Sequence, residues 1–91
     1  MLVPSAPFTR HAQRRQQQRA IPRAIVDAIF DFGEAVRTRD GHAWRWTFGK
    51  RGWKRFAAWL GRDARHFERY RRTYLITSSD GALITVAWDW R

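Results

Sequence analysis

Residues 73–90, TYLITSSDGALITVAWDW, contain two runs of β-branched and aromatic side chains on either side of a turn. Such side chains fit the pleated surface of a sheet. The turn falls at Ser79-Asp80-Gly81, and an Asp-Gly pair between two apolar runs is typical of a tight hairpin connection. The stretch therefore predicts an antiparallel hairpin near the end of the sequence.

A cationic helix is predicted upstream of this hairpin, over residues 49–61, GKRGWKRFAAWLG. Its apolar residues recur with the helical spacing i, i+3, i+4, i+7, at Trp53, Phe56, Ala57 and Leu60. Four cations project from the rest of its surface: Lys50, Arg51, Lys54 and Arg55. The charged stretch 62–72, RDARHFERYRR, connects this helix to the hairpin.

Another hairpin and an amphipathic helix are predicted earlier in the chain. In residues 34–49, an Asp-Gly pair at 40–41 separates two segments of strand character. Residues 22–33, PRAIVDAIFDFG, begin with a proline suited to a first helical turn and end on a glycine suited to helix termination. The apolar face of this helix consists of Ile21, Ile25, Ala28, Ile29 and Phe32. We expect that face to be buried against a sheet.

The order of elements predicts one α+β domain over residues 9–91. An extended arm, residues 1–8, precedes a helix over residues 10–19, for which Thr9 is a suitable N-cap. Two N-terminal helices are then followed by a hairpin, an additional short helix and a second hairpin. This order predicts two helices packed on one face of a small, mainly antiparallel sheet.

The composition points to a polyanionic partner. The 91 residues include 18 basic and eight acidic ones, which gives a formal net charge of +10. All but two of the basic residues are arginines, whose planar guanidinium groups bind phosphates in a bidentate manner. A GC-rich genome also raises the arginine content, but it does not account for the net charge. Nucleic acid, or a strongly acidic protein, is the expected partner.

Several classes of function are disfavoured by what the sequence lacks. The chain has no cysteine, so disulfides, thiolate metal sites and cysteine nucleophiles are excluded. Its three histidines lack metal-binding spacing, and no apolar run approaches the ~20 residues of a membrane span. We expect a cytoplasmic protein that needs no metal or other cofactor and does not cross a membrane.

A histidine and two arginines share one face of the helix predicted over residues 10–19. His11, Arg15 and Arg19 are four residues apart, so their side chains form a stripe. A neutral imidazole can take the proton from a ribose 2′-hydroxyl, and two guanidinium groups can hold the scissile phosphate. The alternative is that an Arg- and Gln-rich helix simply contains such spacings on its solvated face.

Nucleic-acid-binding positions are predicted from the remaining cations of the basic stretches. They are Arg10, Arg14, Lys50, Arg51, Lys54, Arg55 and Arg72. Basic helix faces follow phosphate backbones, although each of these side chains could equally be solvated. Trp53, in the middle of the second cluster, could stack on an unpaired base, but its place on the apolar face favours a role in the core.

Two motifs resemble those of a small uncharacterised bacterial family. The segment His11-Ala12-x-x-Arg15-x-x-x-Arg19-Ala20-Ile21 is similar to its opening HAxxRxxxRGI, and residues 80–86, DGALITV, are similar to its closing DGxxITV. The sequence departs from the first motif at Ala20, where the family usually has glycine. Such domains are similar to the RelE-like and BrnT-like toxins of bacterial toxin–antitoxin systems.

The resemblance implies a curled antiparallel sheet beneath two N-terminal helices, with a basic cleft that cleaves RNA without a metal ion. It implies that His11, Arg15 and Arg19 line this cleft and that Thr85, on the closing strand, approaches it. An acidic antitoxin would be the neutralising partner. Two other hypotheses stay open: a non-catalytic nucleic-acid-binding or phage or plasmid regulatory protein, and a protein whose cations dock an acidic partner.

Overall fold

The computed structural model describes residues 21–89, which form an α+β fold with a four-stranded antiparallel sheet. The helices are α1 (Arg23–Phe32), α2 (Gly49–Leu60) and α3 (Ala64–Phe67). The strands are β1 (Glu34–Arg37), β2 (Ala43–Thr47), β3 (Thr73–Ser78) and β4 (Leu83–Trp88). Two 3-10 turns, Gly61–Asp63 and Glu68–Arg72, flank α3.

The sheet has the strand order β1-β2-β3-β4, so each strand pairs with its neighbour in sequence. Leu75 of β3 lies opposite Trp46 of β2 on one side and Val86 of β4 on the other. The predicted C-terminal hairpin is confirmed, since β3 and β4 pair across the turn at Ser79-Asp80-Gly81. Adjacent strands β2 and β3 are joined through α2 and α3, and we call residues 49–72 the helical segment.

The core lies between the helices and one face of the sheet. Four residues of the predicted apolar face, Ile21, Ile25, Ala28 and Ile29, are buried, and the fifth, Phe32, is partly buried against the core. Leu75 and Val86 are buried in the strands beneath it. α2 adds an aromatic cluster in which Trp53 and Phe56 pack against Phe48. Trp53 therefore belongs to the core, and it is not a surface platform for a base.

Glycines allow α1, α2 and β2 to approach one another closely. A side chain on Gly52 of α2 would place its Cβ 2.5 Å from the carbonyl oxygen of Phe32, at the end of α1. A Cβ on Gly33 would lie 2.3 Å from the carbonyl oxygen of Thr47 in β2. Both distances are far below van der Waals contact, so the layers can meet here only through residues without a side chain.

Both hairpin turns have the same local construction. The hydroxyl of Thr38 donates a 2.6 Å hydrogen bond to the carboxylate of Asp40, and the hydroxyl of Ser78 donates to that of Asp80. These hydroxyl groups lower the pKa of both carboxyls, with smaller contributions from the backbone N–H groups of His42 and Ala82. The glycine that follows each aspartate has a positive φ, as tight turns require: Gly41 and Gly81.

The predicted arrangement of two N-terminal helices packed on the sheet, with an additional short helix between the hairpins, is wrong. In the described part of the chain, one helix precedes β1, and the longest helix, α2 with 12 residues, lies mid-chain. Periodicity located α2 correctly but did not show that its apolar face would pack beside α1 as a principal layer. The arm of residues 1–8 and the helix predicted over residues 10–19 lie outside the described residues.

Candidate nucleic-acid interface

Positive charge is concentrated on the helical segment. Residues 50–72 contain nine of the 18 basic residues of the chain and only two acidic ones, Asp63 and Glu68. The remaining described residues, 21–49 and 73–89, contain four basic and six acidic residues. The described fold therefore has one strongly cationic part, and the charge of its other part is slightly negative.

The amphipathic pattern of α2 directs four of these cations to solvent. Gly52, Trp53 and Phe56 face the core, so positions on the opposite side of the helix are exposed. Those positions are occupied by Lys50, Arg51, Lys54 and Arg55. Within the described residues none of the four forms a salt bridge. Their charges are therefore available to an external anion.

A cleft of about 670 Å³ lies between the start of α2 and the turn that precedes β3. Its lining consists of Gly49, Lys50, Glu68, Arg69, Arg71 and Arg72. Lys50 and Arg72, both predicted from the sequence to bind nucleic acid, thus line one concave surface although they are far apart in the chain. Glu68 is the one carboxylate in this lining, and its Oε1 accepts a 3.3 Å hydrogen bond from Nη1 of Arg71.

Two aromatic rings hold one of the cleft arginines. Tyr70 and Trp88 stack with ring centroids 5.6 Å apart and an interplanar angle of 18°. The guanidinium carbon of Arg69 lies 5.4 Å from the first ring centroid and 5.9 Å from the second. These cation–π contacts restrict the orientation of Arg69 without neutralising its charge. One cleft cation is thus oriented by two aromatic rings that are themselves partly buried against the core.

Arg69 and Arg71 are cleft residues that the sequence-based prediction did not include. They belong to the stretch RDARHFERYRR, in which cations occur too often for any helical or strand period to select one face. The density of arginine before the C-terminal hairpin was the available signal. Their convergence with Lys50 depends on the path of the chain through α3 and the two 3-10 turns.

Thr85, which the resemblance implies approaches the catalytic cleft, lies on the face of the sheet that points away from the helices. It pairs with Ile76, and both alternate with the buried residues Leu75 and Val86, so their side chains point away from the helices. Arg45 occupies the same outer row and forms a 2.8 Å ion pair with Asp89. Within the described residues, Thr85 is therefore not part of the cationic cleft.

The other predicted positions divide into two groups. Arg51, Lys54 and Arg55 are exposed on α2 but do not line the cleft. The predicted catalytic residues His11, Arg15 and Arg19 lie outside the described residues, as do Arg10 and Arg14.

Residues 21–89 contain no group of three or more histidine, aspartate or glutamate side chains placed to hold a metal ion. In the same part of the chain, every helix is too short or too polar to cross a bilayer.

No family model, curated protein or solved structure matches the chain. The resemblance to the bacterial family with HAxxRxxxRGI and DGxxITV motifs therefore depends on those two motifs alone.

Proposed function

We propose that this protein binds RNA through the helical segment, with phosphates held in the cleft between the start of α2 and the 3-10 turn Glu68–Arg72. The observation that carries this proposal is the convergence of four cations, Lys50, Arg69, Arg71 and Arg72, on one concave surface. Among the described residues that line the cleft, the one carboxylate is that of Glu68. A phosphodiester chain is the abundant ligand whose charge is repeated along its length and complements such a surface.

The exposed position of these cations suits reversible binding of a polyanion. All four are exposed to solvent, so they need not be desolvated to remain charged. The exposed cations Arg51 and Lys54 extend the cationic surface beyond Lys50 along α2. The stacked pair of Tyr70 and Trp88 holds Arg69 in position beside the cleft.

RNA is proposed rather than DNA because of the register of His11, Arg15 and Arg19. An imidazole that acts as a general base beside two guanidinium groups can cleave RNA without a metal ion, because the ribose 2′-hydroxyl, which DNA lacks, supplies the nucleophile. The finer form of the proposal is therefore a metal-independent endoribonuclease of the toxin–antitoxin type, acting in the cytoplasm. An acidic antitoxin would then neutralise the helical segment, since its cations would attract the opposite charge.

The binding proposal predicts that charge removed from the cleft matters more than charge removed elsewhere. We expect Lys50→Gln with Arg69→Gln to lower the affinity for a single-stranded RNA at least about tenfold at low salt. The slope of log affinity against log salt should fall by about 1.4, since each lost phosphate contact contributes about 0.7 for single strands. Fluorescence anisotropy between about 50 and 200 mM salt measures both quantities.

The matched control removes two positive charges from the hairpin of β1 and β2, whose residues do not line the cleft. Arg37→Gln with Arg39→Gln gives the protein the same net charge as Lys50→Gln with Arg69→Gln, and both arginines are exposed. We expect this variant to lose less than about threefold in affinity, because it removes no cleft contact. An equal loss in both double variants would show that only the net charge matters. A wild-type protein without measurable RNA affinity, or one that prefers duplex DNA, would also contradict the proposal.

A further inference from the structure

An apolar groove of about 400 Å³ lies between α1 and α2, and its described lining residues all belong to helices. Its lining is formed mainly by Ala28, Phe32, Phe56, Leu60 and Phe67. A cavity of roughly 150 Å³ lined by apolar side chains can bind benzene, so this groove has room for a larger aromatic ring. The volume therefore suits an indole from another molecule.

The chain presents an indole at the margin of the same groove. Trp59 is 73% exposed. Among the described residues, Val36 is the one other large hydrophobic residue that is strongly exposed. The ring of Trp59 is held parallel to that of Phe56, with an interplanar angle of 17° and centroids 6.3 Å apart. A positioned and exposed tryptophan beside an apolar groove is typical of an association surface.

Acidic residues line the α1 wall of the groove, and a basic residue lies beside its α2 wall. Asp27 and Asp31 lie one helical turn apart on the α1 wall, and neither forms a salt bridge within the described residues. Arg55 lies one turn before Trp59 on α2, with its guanidinium carbon 6.0 Å from the ring centroid of Phe32. A surface with acidic residues on one side and a basic residue beside the other side can pair with its own copy.

We propose that this groove is the interface between two copies of the chain, related by a two-fold axis that runs along it. This symmetry sets the α1 wall of each copy against the α2 wall of the other. Asp27 and Asp31 then face Arg55 of the second copy, and each Trp59 enters the groove of its partner. The acidic wall disfavours an acidic protein as the occupant, so the proposal is independent of the antitoxin hypothesis.

Sedimentation of the full chain, purified free of nucleic acid and studied from low to high micromolar concentration, tests this proposal. We expect the wild-type protein to form a dimer, and Trp59→Ala to raise its dissociation constant at least about tenfold. Val36→Ala is the matched control, because it truncates the other exposed hydrophobic residue, and we expect no change. Circular dichroism verifies that each variant remains folded.

A charge-reversal cycle tests the orientation of the two copies. Asp31→Arg and Arg55→Asp should each weaken the dimer, because each places like charges across the interface. The two substitutions together restore opposite charges, so the dissociation constant should return to within about threefold of the wild-type value. A monomeric wild type at all concentrations, an unaffected Trp59→Ala dimer or failure of the double reversal to restore association would overturn the proposal. RNA affinity enters none of these measurements.

Discussion

Two buried threonines on β3 illustrate how strongly a single hydroxyl depends on its neighbours. Thr73 and Thr77 lie on the same face of the strand and are almost completely buried. The hydroxyl of Thr77 accepts a 3.0 Å hydrogen bond from Nε1 of Trp46. The hydroxyl of Thr73 has no hydrogen-bond partner among the described residues. The hydroxyl of Thr77 therefore satisfies the indole N–H of Trp46, whereas burial of the unpaired hydroxyl of Thr73 lowers the stability of the fold.

We expect Thr73→Val to raise the free energy of unfolding by about 1 kcal/mol, because it removes an unsatisfied polar group and preserves the shape of the side chain. Thr77→Val should instead lower the free energy of unfolding by about 1–2 kcal/mol, because it leaves the indole N–H of Trp46 without its acceptor. Urea denaturation with an unchanged m-value measures both changes. Equal destabilisation by the two variants would refute the difference inferred from their contacts.

At the scale of elements, the packing of α2 on α1 requires a residue without a side chain at position 52. A Cβ there would lie 2.5 Å from the carbonyl oxygen of Phe32 and 3.2 Å from Cα of Gly33. Both neighbours are backbone atoms, which cannot rotate away as a side chain would. The close approach sets how deeply Trp53 and Phe56 enter the core, since all three residues belong to the same helix.

We therefore expect Gly52→Ala to lower the free energy of unfolding by about 1–3 kcal/mol, as overpacking does, although alanine favours the helical state by about 1 kcal/mol. Ala58→Gly, on the exposed surface of α2, is the matched control and measures that helical preference alone. Thermal and urea denaturation of both variants give the comparison. A Gly52→Ala protein more stable than the wild type would mean that the helices can separate without cost.

α2 also links the core to the proposed RNA-binding surface. Its apolar side chains anchor it beside α1, and the same periodicity leaves its cations on the opposite surface. Burial of one helical face therefore determines which charges are accessible. The cationic surface is for this reason expected to persist as long as the aromatic cluster of Phe48, Trp53 and Phe56 remains packed.

At the scale of the whole molecule, the cationic cleft and the predicted proton acceptor belong to different parts of the chain. The helical segment carries the cleft, whereas the predicted proton acceptor, His11, belongs to the residues before Ile21. Proton transfer contributes to rate and little to affinity. The two activities should therefore be separable by substitution.

We expect His11→Ala to abolish RNA cleavage and to leave the RNA affinity within a few fold of the wild-type value. Arg15→Ala and Arg19→Ala should weaken both, because a guanidinium holds the phosphate in the ground state and in the transition state. Inducible expression in bacteria, scored for growth and RNA integrity, tests His11 in cells. If the wild type and His11→Ala behave alike, His11 is not the base, and a non-catalytic RNA-binding protein is the better description.

Local patterns determined much of the secondary structure in advance. The β-branched runs around Ser79-Asp80-Gly81 led to β3 and β4, and the period of Ile25 and Ile29 led to α1. These features depend on residues a few positions apart, whose spacing decides which face an element can bury. The excess of cations is likewise a property of the sequence alone.

Only the tertiary structure decided which elements form the main layers and which charges meet. α2 is a principal helix because Gly52, which has no side chain, allows it to pack closely against α1. The spacing of apolar residues along the sequence does not predict this contact. Lys50 lines the same cleft as Arg69 and Arg72 because the chain turns back through α3 after α2. The antiparallel pairing of β2 with β3 determines where this return ends. Thr85 faces the other side of the sheet for the same reason: strand register, not sequence proximity, determines which residues share a surface.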